Sequence, residues 1–201
     1  SPMRALEAVD GDVVMRPFLG VKERRRSSFG KVTLGDDLGI SNDASCASTL
    51  TKYGANEITF SAHCIKINKR DECVKRILVV TNIGVVLLDA HTRRMRRKFA
   101  WRDLSEVRVS VFADDFFALV APVEYDTLLA CSRKVEAIVA MRDMWKRDAR
   151  ARGVIGGEDE LPVRAGESFT YNATALRVRR VDFRRLADGD VDIDVSDEPN
   201  A

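Results

Sequence analysis

Between Glu57 and Leu129 the chain breaks into short runs of β-branched and aromatic residues separated by Asn, Asp and Gly, and this punctuation constrains the fold more than any other feature. The runs at residues 58–67, 76–81, 85–88, 98–101, 107–111, 116–121 and 123–129 read as seven strands. The alternation of Val107, Val109 and Val111 with Arg108 and Ser110 marks a strand with one wet face. The polar stretch 68–75 suits a hairpin loop, and Asn82-Ile83-Gly84 suits a turn, because Asn and Gly tolerate positive φ.

A different period follows. At residues 132–151 Val135, Ile138, Val139 and Trp145 recur at helical spacing, flanked by Met141 and Met144, so one amphipathic helix is expected. Gly153, Gly156 and Gly157 end it, and strand-like runs return at 168–171 and 175–183. The expected fold class is therefore mostly β with one C-terminal amphipathic helix: a pleckstrin-homology-like bent antiparallel sheet or barrel, with the helix closing one end and extensions on both sides.

With 201 residues, 45% hydrophobic and 32% charged, the chain is long enough for one packed domain and has no clear linker to divide it. Residues 1–15 read as an N-terminal arm, 16–185 as the domain and 186–201 as an acidic, disordered tail rich in Asp. Ser1 and Pro2 ahead of Met3 resemble the remnant of an expression tag, which makes Met3 the expected natural start of a stand-alone chain. No apolar run approaches the roughly 18 to 20 residues needed to span a bilayer. The four cysteines form no Cys-x-x-Cys pair and are expected to be free thiols of a cytoplasmic protein.

The net charge of +2 conceals an asymmetry, since basic residues cluster in the body of the chain and acidic ones at its end. Such a distribution points to a polyanionic partner. Nucleic acid is disfavoured by the 7% aromatic content and the absence of a stacking platform or recognition helix. An enzyme is disfavoured because His63 and His91 are the only histidines and neither has a catalytic neighbour at useful spacing; His63 and Cys64, adjacent on a strand, face opposite ways. No Cys/His cluster has metal-ligand spacing, and no cofactor is expected.

The run Phe18-Leu19-Gly20-Val21-Lys22-Glu23-Arg24-Arg25-Arg26-Ser27-Ser28, followed by Gly35-Asp36-Asp37-Leu38-Gly39, resembles the opening of the tail homology one domain of class I myosins. Further matches follow in the same order: Phe60-Ser61, Ile65-Lys66-Ile67-Asn68, the run from Lys75 to Thr81, the run from Val109 to Phe117, Arg133-Lys134-Val135-Glu136, and Glu167-Ser168-Phe169-Thr170. The resemblance covers residues 16–184 and includes no motor, no nucleotide-binding loop and no light-chain-binding helix. It implies a non-enzymatic, cytoplasmic domain, peripheral on the inner face of the plasma membrane or an endocytic membrane, that binds anionic phospholipids, typically phosphoinositides.

The positions that match the family's basic motif are Lys66 and Arg76 at the two ends of the first hairpin, with Lys69, Arg70 and Lys75 in its loop. A planar guanidinium beside a point-charge ammonium suits a polyphosphorylated ring. Asp71 and Glu72 in the same loop are expected to repel phosphate or to occupy arginines. The densest basic run, Arg93, Arg94, Arg96, Arg97 and Lys98, is the expected non-specific membrane contact. Ser27 and Ser28 after three arginines suit a basophilic kinase, whose phosphate would weaken anionic-lipid binding. The alternative function is a pleckstrin-like module that binds cytoskeletal or cortical proteins without specific lipid recognition, because a fold does not fix a function.

Overall fold

The computed structural model describes residues 35–154 and 160–198. The N-terminal arm, Arg24-Arg25-Arg26, Ser27 and Ser28 lie outside the described residues. A 3-10 turn at Ile40–Asn42 leads into helix α1 (Ala44–Lys52), capped by Asp43, whose carboxylate accepts from the Ser45 and Cys46 amides. Seven strands follow: β1 (Ile58–Ile67), β2 (Cys73–Thr81), β3 (Gly84–Asp89), β4 (Met95–Ala100), β5 (Glu106–Ser110), β6 (Phe116–Val120) and β7 (Thr127–Ala130). Helix α2 (Lys134–Ala151) comes next, then β8 (Val163–Gly166), β9 (Ser168–Thr174), β10 (Arg177–Arg185) and β11 (Val191–Asp197).

The strands form two sheets. The larger has the order β4-β3-β2-β1-β7-β6-β5-β8, antiparallel except for the parallel β5–β8 pair, and the smaller has the order β11-β10-β9. The larger sheet is bent so that Arg97 of β4 bonds to Tyr125 just before β7 and to Thr127 at its start, although three strands lie between β4 and β7 in sheet order. This mostly β arrangement with one long helix and a bent open sheet agrees with the expected fold class and is consistent with a pleckstrin-homology-like fold.

The interior of the bend holds the main core, with Phe60, Leu78, Val80, Leu87, Phe99, Trp101, Phe117 and Leu129. Helix α2 lays Ala137, Ile138, Met141 and Met144 into it, and Trp145 donates to the Leu104 carbonyl beyond the end of β4. The helix thus packs on the main core, and its Arg147 reaches Glu57 just before β1. Gly84, at φ 151°, lies against the Phe99 carbonyl, where a Cβ has no room.

Two further clusters explain why several strands are apolar on both faces. Ile77, Val79, Val86 and Leu88 face outward from β2 and β3 and are covered by Ile40, Cys46, Leu50 and Ala55 on and around α1. Ala118 and Leu128 face outward from β6 and β7 and are covered by Tyr171, Val181 and Phe183 of the second sheet.

The expected disordered tail is corrected here. Val191, Ile193 and Val195 pack against that third cluster, while β11 runs in antiparallel register with β10 from Val191 opposite Arg185 to Asp197 opposite Arg179. The acidic residues lie between these apolar ones, on the wet face of an edge strand.

Candidate functional site

The register brings four loops to one end of the larger sheet. β2 leaves the β1–β2 loop and β3 returns, so the β3–β4 loop lies beside it; Leu128 of β7 pairs with Ile67 of β1, which brings the β6–β7 loop there as well. Arg177 adds the β9–β10 turn, donating from Nη1 to the Lys69 carbonyl at 2.7 Å.

Asn68 builds the β1–β2 loop. Its Oδ1 accepts from the Arg70 and Glu72 amides, both at 2.9 Å, and its Nδ2 donates to Glu72 at 2.8 Å. Asp71 takes the left-handed conformation at φ 63°, which Asp tolerates better than most residues. The loop is therefore held in shape by its own side chain, with Lys69 and Arg70 exposed.

Lys66 lies opposite Val74, and Arg76 opposite Cys64. Because facing residues share a side, Lys66 and Arg76 are diagonal neighbours on the inner face of the hairpin, at the rim of the main core. Arg97, opposite Leu87, is on the same face. Burial first, and then the positive charges of Arg97 and Arg76, hold the Lys66 ammonium below the usual lysine range. Three cations are thus close enough to repel one another; Arg76 and Arg97 each contact an acid, whereas Lys66 has no carboxylate partner among the described residues.

Arg97 is only 8% exposed. Its guanidinium is sandwiched between the Phe99 and Tyr125 rings, 4.0 and 3.8 Å from their centroids, and donates to Thr127 Oγ1 and the Tyr125 carbonyl. A weaker 3.4 Å contact reaches Glu124. The Nε atoms of Arg97 and Arg76 are buried without a hydrogen-bond partner among the described residues. Arg76 makes a 3.5 Å ion pair with Asp89.

A cleft of about 500 Å³ opens here, lined by Lys66, Asn68, Lys69, Arg70 and Glu72 on one side and by Tyr125, Asp126 and Ala175 on the other; of its two carboxylates, Glu72 accepts from Asn68 and Asp126 from the Ala121 and Asn172 amides. Arg76 and Lys75 line a neighbouring depression of about 760 Å³ with His63, His91 and Asp89. The expected site residues therefore divide into two groups, with Lys66, Lys69 and Arg70 around one opening and Lys75 and Arg76 around the next. His63 is exposed and Cys64 buried, as strand alternation requires.

The expected basic run on and before β4 is not one exposed surface. Arg97 turns inward, Arg93 pairs with Asp43 at 3.0 Å, and Arg96 pairs with Asp89 at 3.3 Å. Lys98 lies 5.5 Å over the Tyr53 ring, and Arg94 is exposed. The reason is the strand itself, since alternate side chains face opposite ways, with a register shift at Arg96.

Asp71 engages arginines, as expected, but those of the second sheet: Arg179, and Arg177 at 3.4 Å. Both of these also contact Asp197 of β11. The Asp71 carboxylate is thereby engaged by the second sheet. Nothing in the sequence near residue 71 signals β10 as its partner.

Among the described residues, the family-like segments at residues 35–39 and at Arg133-Lys134 brace the fold. Asp36 accepts from the Ile40 and Ser41 amides and from the hydroxyls of Ser41 and Ser61, joining the Gly35-Asp36-Asp37-Leu38-Gly39 segment to β1. Arg133 reaches Asp37 at 2.6 Å and stacks over Phe60. Lys134, 3% exposed, donates to Asp114 and the Phe116 carbonyl and so ties the start of α2 to β6. Among the described residues no group of three or more His, Cys, Asp or Glu is placed to hold a metal ion.

Residues 24–199 match the family described as the unconventional myosin tail, actin- and lipid-binding. This chain belongs to that family. As an unconventional myosin tail domain it is 24% identical over 138 residues to the myosin ID heavy chain of Dictyostelium discoideum, covering 62% of this chain and 12% of that one. It is 21% identical over 174 residues to myosin heavy chain IB of Acanthamoeba castellanii, covering 83% of this chain and 14% of that one. The tail domain thus spans about an eighth of the length of these relatives. Among solved structures, the C-terminal domain of an unknown protein from Leishmania infantum is similar at 11% identity and a TM-score of 0.42, over 52% of this chain and 97% of that one.

Proposed function

We propose that this tail domain is a non-enzymatic, peripheral membrane-binding module that takes the polyphosphorylated head group of an anionic phospholipid, a phosphoinositide, in the cleft beside the first hairpin. The observation that carries the reading is the group of cations at the open end of the sheet. Burial, and then the charges of Arg97 and Arg76, destabilise the Lys66 ammonium, and Lys69 and Arg70 extend from a preformed loop over the same cleft. A site that concentrates like charge in partial burial is under-compensated until an anion enters it. Buried, unpartnered Nε atoms on Arg76 and Arg97 have the same character.

Lys66, Lys69 and Arg70 are the direct ligands in this reading, and Arg76 and Arg97 supply field from behind. The place of action is the cytoplasmic leaflet of the plasma membrane or of an endocytic membrane, where anionic lipid is concentrated. The test is co-sedimentation with vesicles that contain phosphatidylinositol bisphosphate or, at matched surface charge, phosphatidylserine alone. Preference for the phosphoinositide that disappears in Lys66→Ala/Arg70→Ala supports a head-group site; binding that tracks charge alone refutes it.

Because the family is described as actin-binding as well as lipid-binding, a cytoskeletal partner is a second reading. Retained association with actin filaments by the Lys66→Ala/Arg70→Ala protein would show that this activity uses another surface.

A further inference from the structure

Two exposed apolar side chains stand on loops of the cationic cleft. Leu176 is 94% exposed at the β9–β10 turn, next to Ala175 of the cleft wall. Val123 is 77% exposed on the β6–β7 loop, two residues before Tyr125, which lines the same cleft and is itself 39% exposed. One exposed leucine is ordinary on a protein surface. Two large aliphatic side chains on separate loops, both bordering a cationic cleft, are a pattern that asks for a partner with apolar and anionic parts side by side.

Both loops are held in place. Asp126 accepts from the Ala121 amide at 2.9 Å and the Asn172 amide at 2.7 Å, and its own amide donates to the Asn172 carbonyl at 2.8 Å, which binds the β6–β7 loop to β9. Arg177, directly after Leu176, bonds to the Lys69 carbonyl and to Asp71, which binds the β9–β10 turn to the β1–β2 loop. Little ordering remains when such tips meet a surface. Glu124, directly after Val123, is in contact with Arg97.

We propose that Val123 and Leu176 are paired membrane-insertion tips, which enter the acyl boundary of an anionic bilayer when a lipid head group occupies the cleft between their loops. The inference rests on the head-group reading above and adds the orientation in which the domain docks. Charge complementarity selects the occupant. The cleft cations fix the open end at the level of the phosphates, and the aliphatic tips beside them then lie at the depth where the chains begin, with Tyr125 at the interface that amphipathic rings prefer.

The test uses Leu176→Trp and Val123→Trp, with Tyr53→Trp as the control. Tyr53 is 50% exposed at the end of α1, beside the β2–β3 turn, at the opposite end of the sheet. Vesicles contain phosphatidylinositol bisphosphate in phosphatidylcholine brominated on its acyl chains. Quenching of the two tip tryptophans and not of the control is the expected result. In unbrominated vesicles Leu176→Ser/Val123→Ser binds about tenfold more weakly, a loss on the scale of withdrawing a few methylene groups from the bilayer. Its affinity for soluble inositol trisphosphate is unchanged. Wild-type binding to vesicles without quenching at either tip overturns insertion and leaves the head-group site standing. A wild-type chain that fails to bind these vesicles overturns both.

Discussion

Replacing Lys66 by Met separates the cost of the charge from its use. The substitution keeps the length and most of the packing of the side chain and removes one cation from a group of three. Diagonal neighbours across a hairpin are about 7 to 8 Å apart, and at an effective dielectric constant of about 20 two like charges at that distance repel by about 2 kcal/mol. Solvent at the cleft mouth reduces this, so the expected gain in stability is about 1 kcal/mol, or about 2 to 4 °C in Tm for a chain of this size. The same change removes a charge-assisted contact of about 1.5 to 3 kcal/mol to phosphate, which is about a ten- to hundredfold loss of phosphoinositide affinity. The pH dependence has a definite sign. A cation whose pKa falls on folding opposes folding while charged, so this contribution is relieved as pH rises through its depressed value toward the usual lysine range. Thermal melts and vesicle co-sedimentation on the same preparations are the assays, and inositol trisphosphate at a fixed concentration is expected to raise the Tm of the wild type more than that of the variant. A Lys66→Met protein that melts lower and binds lipid as well as the wild type would refute the reasoning, because Lys66 would then be a packed structural residue.

Asp36→Ala is expected to lower stability by about 2 to 3 kcal/mol in urea titration, since four donors lose their acceptor. Burial acts to raise the Asp36 pKa, but hydrogen bonds from Ser41, Ser61 and Ile40 together hold it below the usual carboxylate range; its contribution is therefore present at neutral pH and lost as pH falls through that lowered value. Ile193→Ala should cost about 1 to 2 kcal/mol, as its half-buried side chain leaves the second sheet, and an unchanged melt would mean that β11 does not pack in solution. Thiol labelling at pH 8 should modify the exposed Cys73 rapidly and the other three only in urea; burial pushes Cys131 up to about 11 and Cys64 and Cys46 upward as well. Rapid labelling of Cys64 or Cys131 in the native state would contradict the closed core.

The sequence made the strand meander legible because strand 1 to strand 7 carry their signal locally, in β-branched runs and turn residues. It left α1 hidden. Ala44, Ser45, Ser48, Thr49 and Thr51 give that segment little amphipathic contrast, yet the unbroken apolar stretches Ile77-Leu78-Val79-Val80 and Val85-Val86-Leu87-Leu88 require cover on both faces. The tail was misjudged for a related reason. Counting its aspartates suggested disorder, whereas Val191-Asp192-Ile193-Asp194-Val195 alternates with period two and needs only one apolar surface to fold upon. At the hairpin, residue types showed which cations face one another once the register is known, but not that Lys66 and Arg76 border different openings or that Tyr125 forms the far wall. Those facts depend on contacts between loops far apart in the chain.

How the arginines are distributed bears on how binding to a membrane should respond to salt. Counted along the chain, the run from Arg93 to Lys98 outweighs the first hairpin. In the fold, Arg93 and Arg96 meet Asp43 and Asp89, Arg97 is enclosed by Phe99 and Tyr125, and Arg94 and Lys98 are left as the exposed cations of that run without an acidic partner among the described residues. At about 1 kcal/mol for each basic residue near an anionic leaflet, two such charges give a weak, strongly screened attraction. Lys69 and Arg70, by contrast, sit on a loop already ordered by Asn68, above a cleft whose other lining cation, Lys66, is half-buried. Charge in a partly buried site is screened less than charge on an open surface. Neutralising Lys69 and Arg70 should therefore abolish the part of vesicle binding that survives in high salt, while neutralising Arg94 and Lys98 should remove only a part already lost there. The reverse order would place the membrane contact on β4 and leave the cleft without a role.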